Sequence, residues 1–139
     1  MIQPLSDAEA RSLLREGRLG RLGCVVDGGP YVVPVGYVFE GNNIYVHSLP
    51  GRKITALRAN PRACLQVDVI ENHCHWRSAI AFGRYEEITN EDERNWAVRR
   101  LLSRFPQLTP VESVPVHDGQ SSVIVFCIRV ETVTGAGEK

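Results

Sequence analysis

The stretch LGRLGCVV (19–26), DGGP (27–30), YVVPVGYVF (31–39), EGNN (40–43) and IYVHS (44–48) runs without interruption in the first half of the chain. Its three longer pieces are rich in β-branched and aromatic residues, which suit a half-buried pleated surface. The two four-residue pieces carry turn chemistry, because Gly and Asn tolerate positive φ and Pro presets its own. The stretch therefore predicts three strands joined by tight turns, an antiparallel meander. Pro34 lacks an N–H, so its strand is expected at an edge or at an irregularity of the ladder.

Working outward, Ser6 followed by Glu9 has capping-box spacing, and Ala8, Leu13 and Leu14 recur in the helix it would open; Gly17 is expected to stop it. Three further strands are predicted at 63–70, 76–88 and 121–132. Helices are predicted at 50–59, ended by Asn60-Pro61, and at about 90–105, ended by Pro106. Asn90 and Glu93 repeat the capping-box spacing, and Trp96, Leu101, Leu102 and Phe105 can form an apolar face against a basic remainder of Arg94, Arg99, Arg100 and Arg104. That basic face reads as solvated. Six strands joined mostly by turns argue against a doubly wound parallel sheet, whose strands need helical crossovers. The expected fold is mainly β: a small barrel of six strands with peripheral helices. A single domain is expected over 1–133, with a flexible tail at 134–139.

The 139 residues are 43% hydrophobic and 23% charged, which fits one self-sufficient core. Sixteen basic residues balance sixteen acidic ones, so no overall field favours nucleic acid or an anionic membrane. The longest apolar runs fall far short of the roughly 20 residues that span a bilayer. The opening MIQPLSDAEARSLL lacks the pattern of a secretory leader, so a cytoplasmic location is expected. Cys24, Cys64, Cys74 and Cys127 show no paired spacing and are expected to be reduced, with Cys24, Cys64 and Cys127 packing as small hydrophobes. Neither GxGxxG nor GxxxxGK[ST] occurs.

Charge is nonetheless concentrated locally. Between Gly41 and Val67 there is no Asp or Glu, yet Arg52, Lys53, Arg58 and Arg62 fall there. Within that run, His47-Ser48-Leu49-Pro50-Gly51-Arg52-Lys53 joins a predicted strand end to a predicted helix start, where backbone N–H groups are unpaired and attract anions. The Ser48 hydroxyl, the amides around Gly51 and the two cations together could hold a phosphate, with Arg52 able to make paired hydrogen bonds. The same residues also permit a plainer arrangement, in which Ser48 caps the helix and the cations are solvated. Without interleaved aromatic residues, the segment suits one phosphorylated small molecule better than a nucleic acid.

Taken in order, these segments resemble the pyridoxamine 5′-phosphate oxidase-like family of flavin-binding split barrels, in particular the branch that includes nitroimidazole-resistance proteins. The resemblance rests on GRLGRL (17–22), PYVVPVGY (30–37), IYVHS (44–48) with GRK (51–53), Asn60-Pro61 with Cys64, Trp76-Arg77-Ser78, and Gly83. It implies a six-stranded antiparallel split barrel of Greek-key type, with FMN held between the subunits of a homodimer. By this resemblance Ser48, Arg52 and Lys53 take the phosphate, Val33, Pro34, Val35 and Gly36 lie along the isoalloxazine, and Tyr45 and His47 flank it. Arg77 and Ser78 would reach it from the second subunit. The implied activity is an FMN-dependent oxidoreduction of a small organic acceptor, a nitroaromatic compound among the candidates. His47 is the candidate proton donor, since imidazole titrates near neutrality.

Alternatives stand beside several of these assignments. Tyr45 can be core, Trp76 can belong to the core or to a dimer interface, and Arg77 can form a surface ion pair. His73-Cys74-His75 resembles a metal motif, but a structural zinc needs four ligands and nothing nearby completes the set, so no metal is expected. One rival function is non-catalytic binding of FMN or of haem, with His47 or His75 as axial ligand. Another is a dimeric scaffold without cofactor.

Overall fold

The computed structural model describes residues 1–105 and 123–139. Its elements run β1 (Gln3–Pro4), α1 (Asp7–Glu16), β2 (Leu19–Val26), β3 (Gly29–Gly36), β4 (Val38–Glu40), β5 (Asn43–Ser48), α2 (Arg52–Ala59), β6 (Arg62–Asn72), β7 (His75–Glu87), α3 (Glu91–Arg104) and β8 (Ile124–Glu138). The fold is mainly β and antiparallel with peripheral helices, as the sequence predicts. Among the described residues eight strands replace the expected six, because one predicted strand is split and two-residue β1 adds itself to β8. Pro106 and the predicted strand start at 121–122 lie outside the described residues. Among the described residues no helix is long and apolar enough to cross a membrane.

The meander expectation needs correction. The order across the sheet is β3-β2-β6-β7-β8-β5-β4, so the strand predicted at 31–39 is two strands at opposite ends of the path. β3 pairs with β2 from Leu19↔Gly36 to Val26↔Gly29, and β4 pairs with β5. Tyr37 stands between them. Its N–H bonds the Arg18 carbonyl at 3.0 Å, and its buried hydroxyl donates to the Leu14 carbonyl at 2.5 Å. A single residue thus carries the chain from one end of the sheet to the other and closes the barrel, with α1 holding the crossing point. β3 is an edge strand, in keeping with Pro34.

Local signals account for most of the remaining boundaries. The β2–β3 loop is Asp27-Gly28, with φ of 51° and 79°, the positive values that a two-residue hairpin demands. Ser6 and Glu9 form the capping box of α1, and Asn90 accepts the Glu93 N–H at the start of α3. The Glu93 side chain does not complete a second box; it turns instead to Tyr45 and Arg129. The tail expected to be flexible is also different: Thr134–Glu138 continue β8, pairing with β7 and, at Ala136 and Gly137, with β1. Backbone pairing on both sides overrides its loop-like composition. At Gly83, beside a register shift in the β7–β8 ladder, any Cβ would collide with the Arg129 carbonyl.

Strand alternation sorts side chains into two cores. Inside the barrel lie Leu22, Leu65, Ile44, Val46, Phe126 and Ile128, closed off by Leu13 and Leu14 of α1 and by Ile54 and Leu57 of α2. On the other face of β5 and β8, Tyr45, Val125 and Cys127 pack with Ile88 and with Ala97 of α3. Not all of the basic side of α3 is idle. Arg104 donates to the carbonyls of Arg15, Glu16 and Gly17 at the end of α1, Arg94 to the Val123 carbonyl, and Arg100 pairs with Glu40.

Candidate functional site

β3 brings Tyr31, Val33 and Val35 to one side at a spacing of two residues, and the end of β5 with the start of α2 meets it there. The result is a cavity of about 370 Å³ lined by Val33, Pro34, Val35, Gly36, His47, Ser48, Arg52 and Lys53 from the sequence prediction. The lining also includes Tyr31, Leu49, Pro50, Gly51 and Val123. None of these lining residues is a carboxylate among the described residues. Tyr31 could have been found from sequence, since it shares the alternation of Val33 and Val35. Val123 could not, because only the pairing of β8 with β5 brings it in.

The corner at α2 decides between the two readings of Ser48. Gly51 occupies the N-cap, no side chain caps the helix, and no acidic residue lies in its first turn. Ser48 is buried, and its hydroxyl donates to the Leu49 carbonyl at 2.8 Å instead of accepting from the helix. The first amides of the helix, two adjacent cations and a hydroxyl that can turn toward a ligand therefore share one end of the cavity. A Cβ at Gly51 would meet nothing within 4 Å, so the backbone there is open to close approach. The other two cations of the run are placed elsewhere: Arg58 pairs with Glu87, and Arg62 begins β6.

At the opposite end, β3 offers the backbone of Val33–Gly36 along an edge whose outer side pairs with no other described strand. Apolar Val33 and Val35 border the same space. An anionic group bound at α2 and a flat, partly polar ring lying along β3 match this donor set. The residues present thus fit a phosphorylated aromatic cofactor.

Three predicted residues are not part of this cavity. Tyr45 is 5% exposed beneath α3, with its ring edge-on to Trp96 at 5.0 Å and its hydroxyl donating to Glu93 Oε2 at 3.0 Å. Burial pushes its phenol pKa up. Its place is the second core, which corrects its assignment as a ring contact within one chain. Ser78 sits mid-sheet and accepts from the Gln66 amide at 3.0 Å, in a cluster where Arg21 also reaches Gln66 and Asp68. Arg77 lines a separate groove of about 480 Å³ with Trp76, His75, Glu9, Glu71 and Glu138.

The histidine-cysteine motif forms the β6–β7 turn. Asn72 Oδ1 accepts the Cys74 N–H at 2.8 Å and lies 3.1 Å from His75 Nδ1. Among the described residues no three His, Cys, Asp or Glu gather as metal ligands. All four cysteines are free thiols; burial pushes Cys127 up to about 12, and also raises Cys24 and Cys64, which disfavours the reactive thiolate.

Known proteins give the same picture of the fold. An uncharacterized protein of Rhizobium meliloti is 30% identical over 96% of this chain and 93% of its own length. A crystal structure of a FAD-binding protein from Mesorhizobium loti superposes with a TM-score of 0.84 at 33% identity, covering 100% of this chain and 99% of that one. A second, described as a putative 5-nitroimidazole antibiotic resistance protein from Bacteroides thetaiotaomicron, gives 0.78 at 24% identity over 99% and 87%. The sequence profile described as pyridoxamine 5′-phosphate oxidase matches residues 6–136, nearly the whole of the barrel just described. By that match and by its architecture, the chain belongs to the pyridoxamine 5′-phosphate oxidase family of split barrels.

Proposed function

We propose that this protein is a flavin-dependent oxidoreductase that holds FMN, or the FMN part of a larger flavin, in the cavity between β3 and α2. The observation that carries this reading is the meeting of a strand that ends the described sheet with the adjacent cations Arg52 and Lys53 at a helix start in a single cavity. Ser48, Arg52, Lys53 and the first amides of α2 take the phosphate. Val33, Pro34, Val35 and Gly36 carry the ring, with backbone groups at its edge and apolar surface at its face. The Mesorhizobium loti relative is described as binding FAD, whose flavin half is the same unit.

Bound there, the flavin supplies two-electron transfer from a reduced nicotinamide donor to a small organic acceptor, a nitroaromatic compound among the candidates. The chain contributes binding, orientation and a proton: His47 on the cavity wall is placed to hold one at its imidazole for the reduced acceptor. Arg77 and Ser78 lie away from the cavity, so their contribution requires a second copy of the chain. Homodimerisation is supported by the outward faces of β2, β3, β6 and β7, where Leu19, Val32, Ile70 and Phe82 are exposed.

The test is the spectrum of purified protein titrated with FMN, followed by anaerobic reduction with NADPH or NADH and reoxidation by a panel of nitroaromatic and quinone acceptors. A bound flavin spectrum with acceptor-dependent reoxidation is expected. Binding without turnover would leave a carrier, a Soret band on adding haem would favour the haem reading, and no binding of either would leave a scaffold.

A further inference from the structure

The chain has four tyrosines, and the fold engages the hydroxyls of three. Tyr37 donates to the Leu14 carbonyl, Tyr45 to Glu93, and Tyr85 to Glu87 Oε1 at 2.7 Å. Tyr31 differs. It is partly buried and packs against the barrel core, yet its hydroxyl bonds to none of the described residues. Packing alone would be served by Phe, and a phenol in such a place ordinarily finds a partner for its O–H. The hydroxyl is therefore the part of Tyr31 that the protein's own contacts leave unused.

We propose that the Tyr31 hydroxyl donates to the flavin phosphate from β3, and so makes the site select a phosphorylated flavin over bare riboflavin. The inference rests on the flavin reading above and adds one ligand to its phosphate corner. Tyr31 lines the same cavity as Ser48, Gly51, Arg52 and Lys53. Its register partner on β2 is Cys24, and residues opposite each other in an antiparallel pair share a face, with Cβ atoms about 5 Å apart. Lys53 acts at this level of the barrel: burial raises the Cys24 thiol, and the Lys53 charge opposes that rise. Tyr31 thus stands level with the cationic corner. Val33 and Val35 follow about 7 and 14 Å further along the same face of the strand, toward the ring.

The chemistry of the corner suits such a donor. Ser48, Arg52, Lys53 and the first amides of α2 all come from one short segment, so they approach a phosphate from one side. Tyr31 comes from β3, and its bond would tie the anion to the second wall of the cavity. A phosphate monoester has three terminal oxygens, enough acceptors for the cations, the amides and a phenol together. The phenol is neutral, so it makes a charge-assisted bond to an anionic oxygen without placing another ion beside Val33 and Cys24. Riboflavin ends in a neutral hydroxyl at this point, and a neutral pair of partners gains much less.

The experiment titrates the full chain with FMN and with riboflavin, and repeats both titrations for Tyr31→Phe. The unaltered protein is expected to bind FMN more tightly than riboflavin. Tyr31→Phe should weaken FMN about tenfold and riboflavin less than about twofold. Its ligand-free melting temperature should not fall, since no bond to a described residue is lost. A merely structural role for Tyr31 would move both ligands together, so the ratio of the two affinities is the readout. If Tyr31→Phe fails to fold, Tyr31→Leu serves, with the same narrowing of that ratio expected. A ratio left unchanged, whether both affinities hold or both fall, would overturn the role of the hydroxyl and leave the flavin reading intact. Failure of both flavins to bind the unaltered protein would overturn the two together.

Discussion

Tyr45 and His47 stand two residues apart on one face of β5, yet they belong to different worlds. Over Tyr45 lies α3, which supplies Trp96 to its ring and Glu93 to its hydroxyl, so that its surface and its polar atom are both occupied. His47 instead lines the cavity shared by β3 and α2. Identical parity on a strand thus yields a structural residue in one case and a cavity wall in the other. What covers a position decides its role, and the cover comes from a helix more than forty residues away in the chain.

The comparison can be broken first at the cationic end. Arg52→Ala combined with Lys53→Ala removes two charge-assisted partners of the phosphate, so FMN affinity should fall about a thousandfold, roughly 4 kcal/mol, while riboflavin, which has no phosphate, changes less than about threefold. Equal losses for both ligands, measured by fluorescence quenching, would place the phosphate elsewhere.

Tyr45→Ala should act in the opposite sense. Emptying the space beneath α3 is expected to lower unfolding free energy by about 3 kcal/mol, read by urea denaturation. Flavin affinity of the folded protein should stay within about twofold. A large loss of affinity without loss of stability would return Tyr45 to the site. Tyr45→Phe sharpens the point, since it keeps the ring against Trp96 and removes only the hydroxyl's bonds to Glu93 and Asn43, for about 1 kcal/mol.

The smallest effect concerns Arg58, the third cation of the acid-free run. Its pairing with Glu87, joined by the Tyr85 hydroxyl, holds the Glu87 carboxyl below its ordinary 4.5. A carboxylate depressed in the folded state stabilises above its unfolded value and loses that contribution as pH falls through the folded one. Arg58→Ala should therefore cause a small drop in melting temperature near pH 7 that shrinks as pH falls below 4.5 and the Glu87 carboxyl takes up its proton, with FMN binding unaffected. An effect on FMN would mean that the whole run, and not its first two cations, addresses the phosphate.

Much of this was readable in the sequence because it depends on near neighbours. The Ser6–Glu9 box, the Asp27-Gly28 turn and the edge position implied by Pro34 each follow from a few adjacent residues. The Arg52-Lys53 corner was readable for the same reason, a charge imbalance within one short segment. The break at Tyr37 was not, since its cause is the Leu14 carbonyl and the need to reach the far edge of the sheet. Neither was the tail, whose Gly and Thr residues look mobile until β7 and β1 pair with them. Arg104 clasping the end of α1 is likewise invisible before two distant helices meet.

The position of β8 has a consequence for how the molecule comes into being. Without it, the sheet is two unjoined pieces, β3-β2-β6-β7 and β5-β4, and β8 is the strand that bridges them. One wall of the cofactor cavity belongs to each piece. During synthesis on the ribosome, the binding corner can therefore take its final form only after residues 124–138 have cleared the exit tunnel, however early its own residues emerge.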